Sequence, residues 1–209
     1  MTKNIGKRTY MKPLIDNLKG SFWDGVDKSK YDENGIILQT YDHDIKTRAA
    51  KEANINLLNH FLQNCSEDYL VLFEDDIVLH KDFYQYYNQI IEFANNNKFK
   101  LIYMGISTII PNEKRTEDLQ IHTLPKTHYR YSGCYGVIIH RSIMKSLINR
   151  SNDPFLYNRP FDNYSLGHIQ LAYPNECFVC SPQIVIPIVT VSDIRDPYSQ
   201  NSLWKLEYI

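Results

Sequence analysis

The sequence predicts an α/β fold in which a sheet is flanked by helices, built as a single domain over residues 1–209. Three observations carry that prediction. Tyr69-Leu70-Val71-Leu72-Phe73 is an apolar run of strand length that stops abruptly on Glu74-Asp75-Asp76, as a strand buried on both faces does when its carboxyl end emerges at a cleft. A second apolar run, Leu101-Ile102-Tyr103-Met104-Gly105, follows after a segment with helical periodicity, which is the order of a parallel crossover. No proline-rich, glycine-rich or repeated segment divides the chain, which is long enough for one sizeable core.

Taken in order, Arg8 to Leu18 reads as a short amphipathic helix, broken or started at Pro13 and ended by Lys19-Gly20. Phe22-Trp23-Asp24-Gly25-Val26-Asp27 carries an Asp-Gly turn beside two large aromatics, and Lys28 to Tyr41 reads mostly as loop. From Thr47, as N-cap, Ala50, Ala53, Leu57, Leu58, Phe61 and Leu62 fall at helical intervals, giving a helix that packs on the sheet just before the acidic strand. His60 within it lacks a partner motif and reads as an ordinary surface or core residue.

Beyond the acidic triplet, Asp82 caps a helix whose buried stripe is Phe83, Tyr87, Ile90, Ile91 and Ala94, and Asn95-Asn96-Asn97 ends it. Ile106 to Lys126 is a long polar connection, either a mobile substrate loop or a surface excursion. Tyr129 to Ile139 is rich in strand formers, with small residues where a ligand could approach the backbone. Arg141 to Asn149 reads as a helix, a further helix starts near Asn163 to His168, and strands lie within Cys177 to Val191.

Composition narrows the function classes. A net charge of -1 without a basic stripe argues against nucleic acid as the main partner. No apolar run approaches the ~18 to 20 residues of a membrane span, and the first eight residues lack the apolar core of a signal peptide, so the expected location is cytoplasmic. Cys65, Cys134, Cys177 and Cys180 read as inert thiols. In a strand, Cys177 and Cys180 would face opposite sides and could not form a redox or zinc pair.

The acidic triplet is the chemical focus. Three adjacent carboxylates repel one another and are most easily tolerated beside a bound cation, so a divalent metal is expected there. The bland alternative, a solvated surface turn, fits less well because Ile77-Val78-Leu79 makes the triplet an acidic island in apolar sequence.

Several segments, in order, resemble the glycosyltransferase family 25 group, which includes lipooligosaccharide and collagen β-galactosyltransferases. They are Leu72-Phe73-Glu74-Asp75-Asp76-Ile77, Gly133-Cys134-Tyr135-Gly136-Val137-Ile138-Ile139, Pro160-Phe161-Asp162 and Ser192-Asp193-Ile194, with Trp23-Asp24-Gly25 like an early Asp-Gly turn. The resemblance spans about Phe22 to Asp196 and departs at two places. The first strand with its Asn-Leu and arginine-rich turn is absent or a stub, giving a shortened N-terminus, and Leu57-Leu58-Asn59-His60 stands where a Ser-His pair is usual.

What the resemblance implies is a GT-A-like (Rossmann-like) mixed sheet and a metal-dependent, inverting transfer of galactose or glucose from a UDP-sugar to a hydroxyl of a glycan or protein acceptor. Glu74 and Asp76, on one side if the strand continues, would hold Mn²⁺ (or Mg²⁺), and Asp75 would serve the donor. Asp162 would be the catalytic base, or alternatively only an N-cap. Asp193 would meet the metal or diphosphate, and Tyr135 the sugar face. A partner chain or second copy is a further expectation, given the shortened N-terminus.

Two rivals remain. A phosphoacceptor receiver domain would need its next buried strand to end in Asp, where this chain has Met104-Gly105. A non-catalytic relative that keeps the fold and binds sugars or a partner is the stronger alternative.

Overall fold

The computed structural model describes residues 5–27, 42–107, 118–124, 131–153, 156 and 159–187. In chain order these form α1 (Ile5–Asn17), α2 (Asp42–Asn64), β1 (Tyr69–Phe73), β2 (Ile77–Leu79), α3 (Phe83–Asn96), β3 (Leu101–Gly105) and β4 (Gln120–Thr123). They continue with β5 (Gly136–His140), α4 (Arg141–Ser151), a π-helical segment (Phe161–Leu166) running into α5 (Gly167–Ala172), β6 (Cys177–Ser181) and β7 (Val185–Pro187).

The main sheet has the order β1-β5-β3-β6-β4, and β2 pairs with β7 in a separate two-stranded ribbon. It is mixed: β5 is antiparallel to both β1 and β3, β6 is parallel to β3, and β4 is antiparallel to β6. Strands β1, β3 and β6 therefore share one direction, and their carboxyl ends lie at one end of the sheet.

Strand alternation divides the core into two layers. On one face Leu101, Tyr103, Val137, Ile139, Cys177 and Val179 meet Leu58 and Phe61 of α2, Ile143, Met144 and Leu147 of α4, and Leu166 of the π-helical segment. On the other face Ile102, Met104, Ile138 and Cys180 meet Phe83, Tyr86 and Ile90 of α3, and Met11 and Leu14 of α1. Helices thus cover both faces of a mixed sheet, as the α/β reading expects. Cys177 and Cys180 lie in opposite layers, and burial holds both thiols protonated, Cys177 pushed up to about 12 and Cys180 also raised.

Four expectations are corrected. Strand β1 is half-buried along its length, because it is an edge strand among the described residues and only β5 pairs with it. The crossover from β1 through α3 does reach a strand of the same direction, but β5 inserts between β1 and β3. Helix α2 begins at Asp42, so Thr47 is a buried interior residue and no cap, and Ile45 and Ala49 are buried where Ala50 is exposed. Within the polar stretch after Ile106, Gln120–Thr123 is a strand paired with β6.

Other elements fall where the pattern places them. Helix α3 spans Phe83–Asn96, with Phe83, Tyr86, Ile90 and Ala94 buried, although Asp82 at its start makes no side-chain cap bond. Lys28 to Tyr41 lies outside the described residues.

Candidate functional site

The antiparallel register of β1 and β5 builds the site. Phe73 stands opposite Gly136, so the residues after β1 must meet the residues before β5. The Glu74 N–H continues the ladder by donating to the Tyr135 carbonyl at 3.1 Å. There the strand ends, so the strict alternation that would put Glu74 and Asp76 on one side no longer applies.

Glu74 is half-buried, and its Oε1 accepts from the Cys134 thiol at 3.0 Å. Asp75 and Asp76 converge on one cation: Lys7 Nζ lies 3.1 Å from Asp75 Oδ1 and 3.7 Å from Asp76 Oδ2. The triplet therefore points two ways, one carboxylate against the β5 lead-in and two toward the first turns of α1.

Asp162 reaches the same lead-in from the other layer. It is the second residue of the π-helical segment, whose N-cap position is Pro160, so Asp162 is not the cap. Its Oδ2 accepts from the Gly133 N–H at 2.6 Å and its Oδ1 from the Asn163 N–H at 2.7 Å. Gly133 has φ +96°, and a Cβ there would come within 2.7 Å of the Ser107 nitrogen, so only glycine fits this turn. Gly133, Cys134 and Tyr135 thus form a three-residue bridge that holds Glu74 at one end and Asp162 at the other.

A buried amide network fixes the bridge. Gln170 Nε2 donates to the Tyr131 carbonyl and to the Tyr103 hydroxyl, each at 2.8 Å, while its Oε1 accepts from the Tyr131 N–H at 2.9 Å. Burial, with smaller contributions that include the Asp162 charge, holds the Tyr103 hydroxyl well above the usual tyrosine range. Ser107 adds its N–H to the Ser132 carbonyl at 2.8 Å. In α2 the buried Lys51 donates Nζ to the Leu156 carbonyl, and burial followed by the Arg48 charge lowers its pKa.

Of the residues singled out from sequence, Glu74, Asp162 and Tyr135 come together at the bridge, and Asp75 and Asp76 stand beside it. The Tyr135 ring is buried in the core, so what Tyr135 gives the turn is its carbonyl. Asp193 lies outside the described residues. Cys134 was read only as an inert thiol, and Lys7 was not singled out. Only the small-residue run around Cys134 hinted at a close backbone approach, and nothing local marks Lys7, which meets Asp75 across 68 residues.

The fit of a divalent ion can be judged from these groups. Among the described residues no three His, Cys, Asp or Glu side chains gather around one point. Two carboxylates that already share one ammonium do suit an ion such as Mg²⁺ or Mn²⁺ that takes its remaining oxygens from substrate phosphates and water. The open groove between α3 and β4, lined by Gln89, Glu92, Phe93, Asn96, Leu119 and Ile121, belongs to the other edge of the sheet and offers one carboxylate. Among the described residues no helix is long and apolar enough to cross a membrane. Comparison with protein-family models and with curated proteins finds no match.

Proposed function

We propose that this chain is a glycosyltransferase of GT-A-like fold that moves a hexose, galactose or glucose, from a UDP-sugar to a hydroxyl of a glycan or protein. The observation that carries the reading is the Gly133–Tyr135 bridge, which joins the acidic end of β1 to Asp162 at the carboxyl end of a mixed sheet. That end is where open α/β sheets bind ligands. The resemblance to family 25 in the same segments supports it.

In this reading Asp75 and Asp76, which converge on one point, would hold Mn²⁺ (or Mg²⁺) in place of the Glu74 and Asp76 pair expected from sequence, with Glu74 beside them and oriented by the Cys134 thiol. When bound, the ion neutralises charge on the departing diphosphate. Asp162 accepts the proton of the attacking acceptor hydroxyl, its two oxygens oriented by the Gly133 and Asn163 N–H groups. Its position is set by the same bridge that sets Glu74, which keeps acceptor and donor groups in register. Asp193 belongs to the donor side on sequence grounds.

The test is UDP release from UDP-galactose and UDP-glucose with Mn²⁺ and a panel of glycan acceptors. Release that EDTA and Asp76→Asn abolish supports the reading; no release with any donor and acceptor contradicts it. The alternative, a non-catalytic relative that binds sugars or a partner, is favoured by one observation: Lys7 already offsets part of the charge of Asp75 and Asp76.

A further inference from the structure

Resting on that reading and deepening it, we propose that the exposed aromatics Phe22 and Trp23, with the adjoining Arg8–Asp24 ion pair, form a binding surface for a neutral glycan. The acceptor is then a glycan and not a protein.

The segment that follows α1 carries two large aromatics that the core does not take: Phe22 is 36% and Trp23 41% exposed. Both are nonetheless held. Trp23 Nε1 donates to the Ala53 carbonyl at 3.2 Å, and its ring tilts against His60 with centroids 5.0 Å apart, so α2 supports the indole while part of it stays open. The Arg8 guanidinium lies 5.3 Å from the centre of the Phe22 ring and pairs with Asp24, and the buried Val26 anchors the segment just beyond. Rings fixed before binding spare a ligand the cost of ordering them.

Chemistry and size fit a sugar, which presents C–H groups on the faces of its ring and hydroxyls around the rim. An aromatic face is the negative pole of the ring quadrupole and attracts those weakly positive C–H groups. The rim needs polar partners beside the ring. Asp24 is 66% exposed and meets Arg8 through Oδ1, which leaves Oδ2 to accept from a hydroxyl. Arg8 and Asp24 offset one another, so the surface favours a neutral ligand over an ionic one. Its open aromatic area is on the order of 150 Å², against about 800 Å² per partner in a stable protein interface.

Helix α1 ties this surface to the acidic turn. Lys7 meets Asp75 and Asp76 while its neighbour Arg8 meets Phe22 and Asp24. A glycan on Trp23 therefore lies beside the open end of β1.

The experiment is saturation-transfer NMR on the full chain with lactose, cellobiose, maltose and N,N′-diacetylchitobiose, without UDP or metal. Wild type, Trp23→Ala, Trp23→Phe and Phe22→Ala are compared, with the unfolding midpoint and sedimentation of each. At least one disaccharide should bind wild type, with the strongest saturation on the C–H protons of one ring face. Trp23→Ala should weaken that binding by about tenfold, and Trp23→Phe, which keeps a ring, should retain most of it. Phe22→Ala should weaken it with the unfolding midpoint near wild type. No binding by any of the four sugars, equal binding in Trp23→Ala and Phe22→Ala, or a wild-type dimer that these variants dissociate overturns the proposal. Trp23-dependent sugar binding by a chain that releases no UDP with any donor keeps the surface and overturns the transferase reading. UDP release to a glycan with an unchanged acceptor KM in Trp23→Ala does the reverse.

Discussion

Strands β1 and β3 run in the same direction on either side of β5, and both are apolar runs of five residues, yet their carboxyl ends have opposite fates. The end of β3 is sealed. Ile184 donates its N–H to the Met104 carbonyl at 2.8 Å, and the Val185 backbone crosses so close to Gly105 that a Cβ there would lie 2.0 Å from the Val185 oxygen. Among the described residues the end of β1 is left open: it turns into three carboxylates facing a lysine and a thiol. Strand polarity makes the two ends equivalent, and the chain that crosses above seals one of them.

Substitutions at the two ends should separate packing from chemistry. The largest effect belongs to the sealed end. Gly105→Ala forces backbone against backbone at Val185 and should cost about 3 kcal/mol or more in urea unfolding, at the upper end of overpacking penalties. At the open end Asp76→Asn should lower Mn²⁺-dependent UDP release by more than about 100-fold, beyond what loss of a supporting contact costs, while the unfolding midpoint stays near wild type. A large loss of stability in Asp76→Asn would mean that the two ends do not differ as described.

Cys134 sharpens the comparison, because its thiol meets Glu74 at the open end. Cys134→Ala should lower Mn²⁺-dependent UDP release by about tenfold, and Cys134→Ser, which keeps a donor, should restore most of it. Equal losses in both variants would assign Cys134 to packing alone.

The smallest effect concerns the sealed layers and alkaline pH. Cys177 has its thiol raised from 9.0 to about 12 by burial, so the folded state keeps a proton that the unfolded chain loses. Stability is fully present below pH 9 and falls as pH rises toward 12, by about 1.4 kcal/mol at pH 10. Tyr103, held well above the usual tyrosine range by burial, extends the loss above pH 10. Denaturant unfolding between pH 8 and 11 checks this, and Cys177→Ala should remove about half of the thiol-linked decline between pH 9 and 10, since the buried Cys180 thiol, raised as well, contributes a loss of the same sign.

The same contrast explains what the sequence could reveal. Leu101–Gly105 is buried throughout and apolar throughout, so pattern and structure coincide. Apolarity alone could not tell that β1 would lie at a sheet edge, because Tyr69 to Phe73 looks the same whether one neighbour or two will pair with it. Gln120–Thr123 escaped notice because an edge strand with an exposed face is held by backbone pairing to β6 and needs little apolar side chain. Helix α2 extends back to Asp42 because Ile45 and Ala49 find burial in the tertiary structure, a gain that local capping signals do not report. At the site, the acidic triplet and Asp162 were visible as residue types. What joins them was not, since the bridge depends on the β1–β5 register and on a glycine at positive φ. Lys7 is the extreme case, a partner brought in from 68 residues away.

The central claim is that the open end of β1 is a metal-dependent donor site, and thermal unfolding of the whole chain with UDP, with and without Mn²⁺, tests it most directly. A ligand that binds only the folded state raises its apparent stability. The account predicts that UDP raises the unfolding temperature when Mn²⁺ is present, that it does so far less without Mn²⁺, and that Asp76→Asn abolishes the rise. An unfolding temperature that UDP and Mn²⁺ leave unchanged in the wild type, or raise equally in Asp76→Asn, would contradict it.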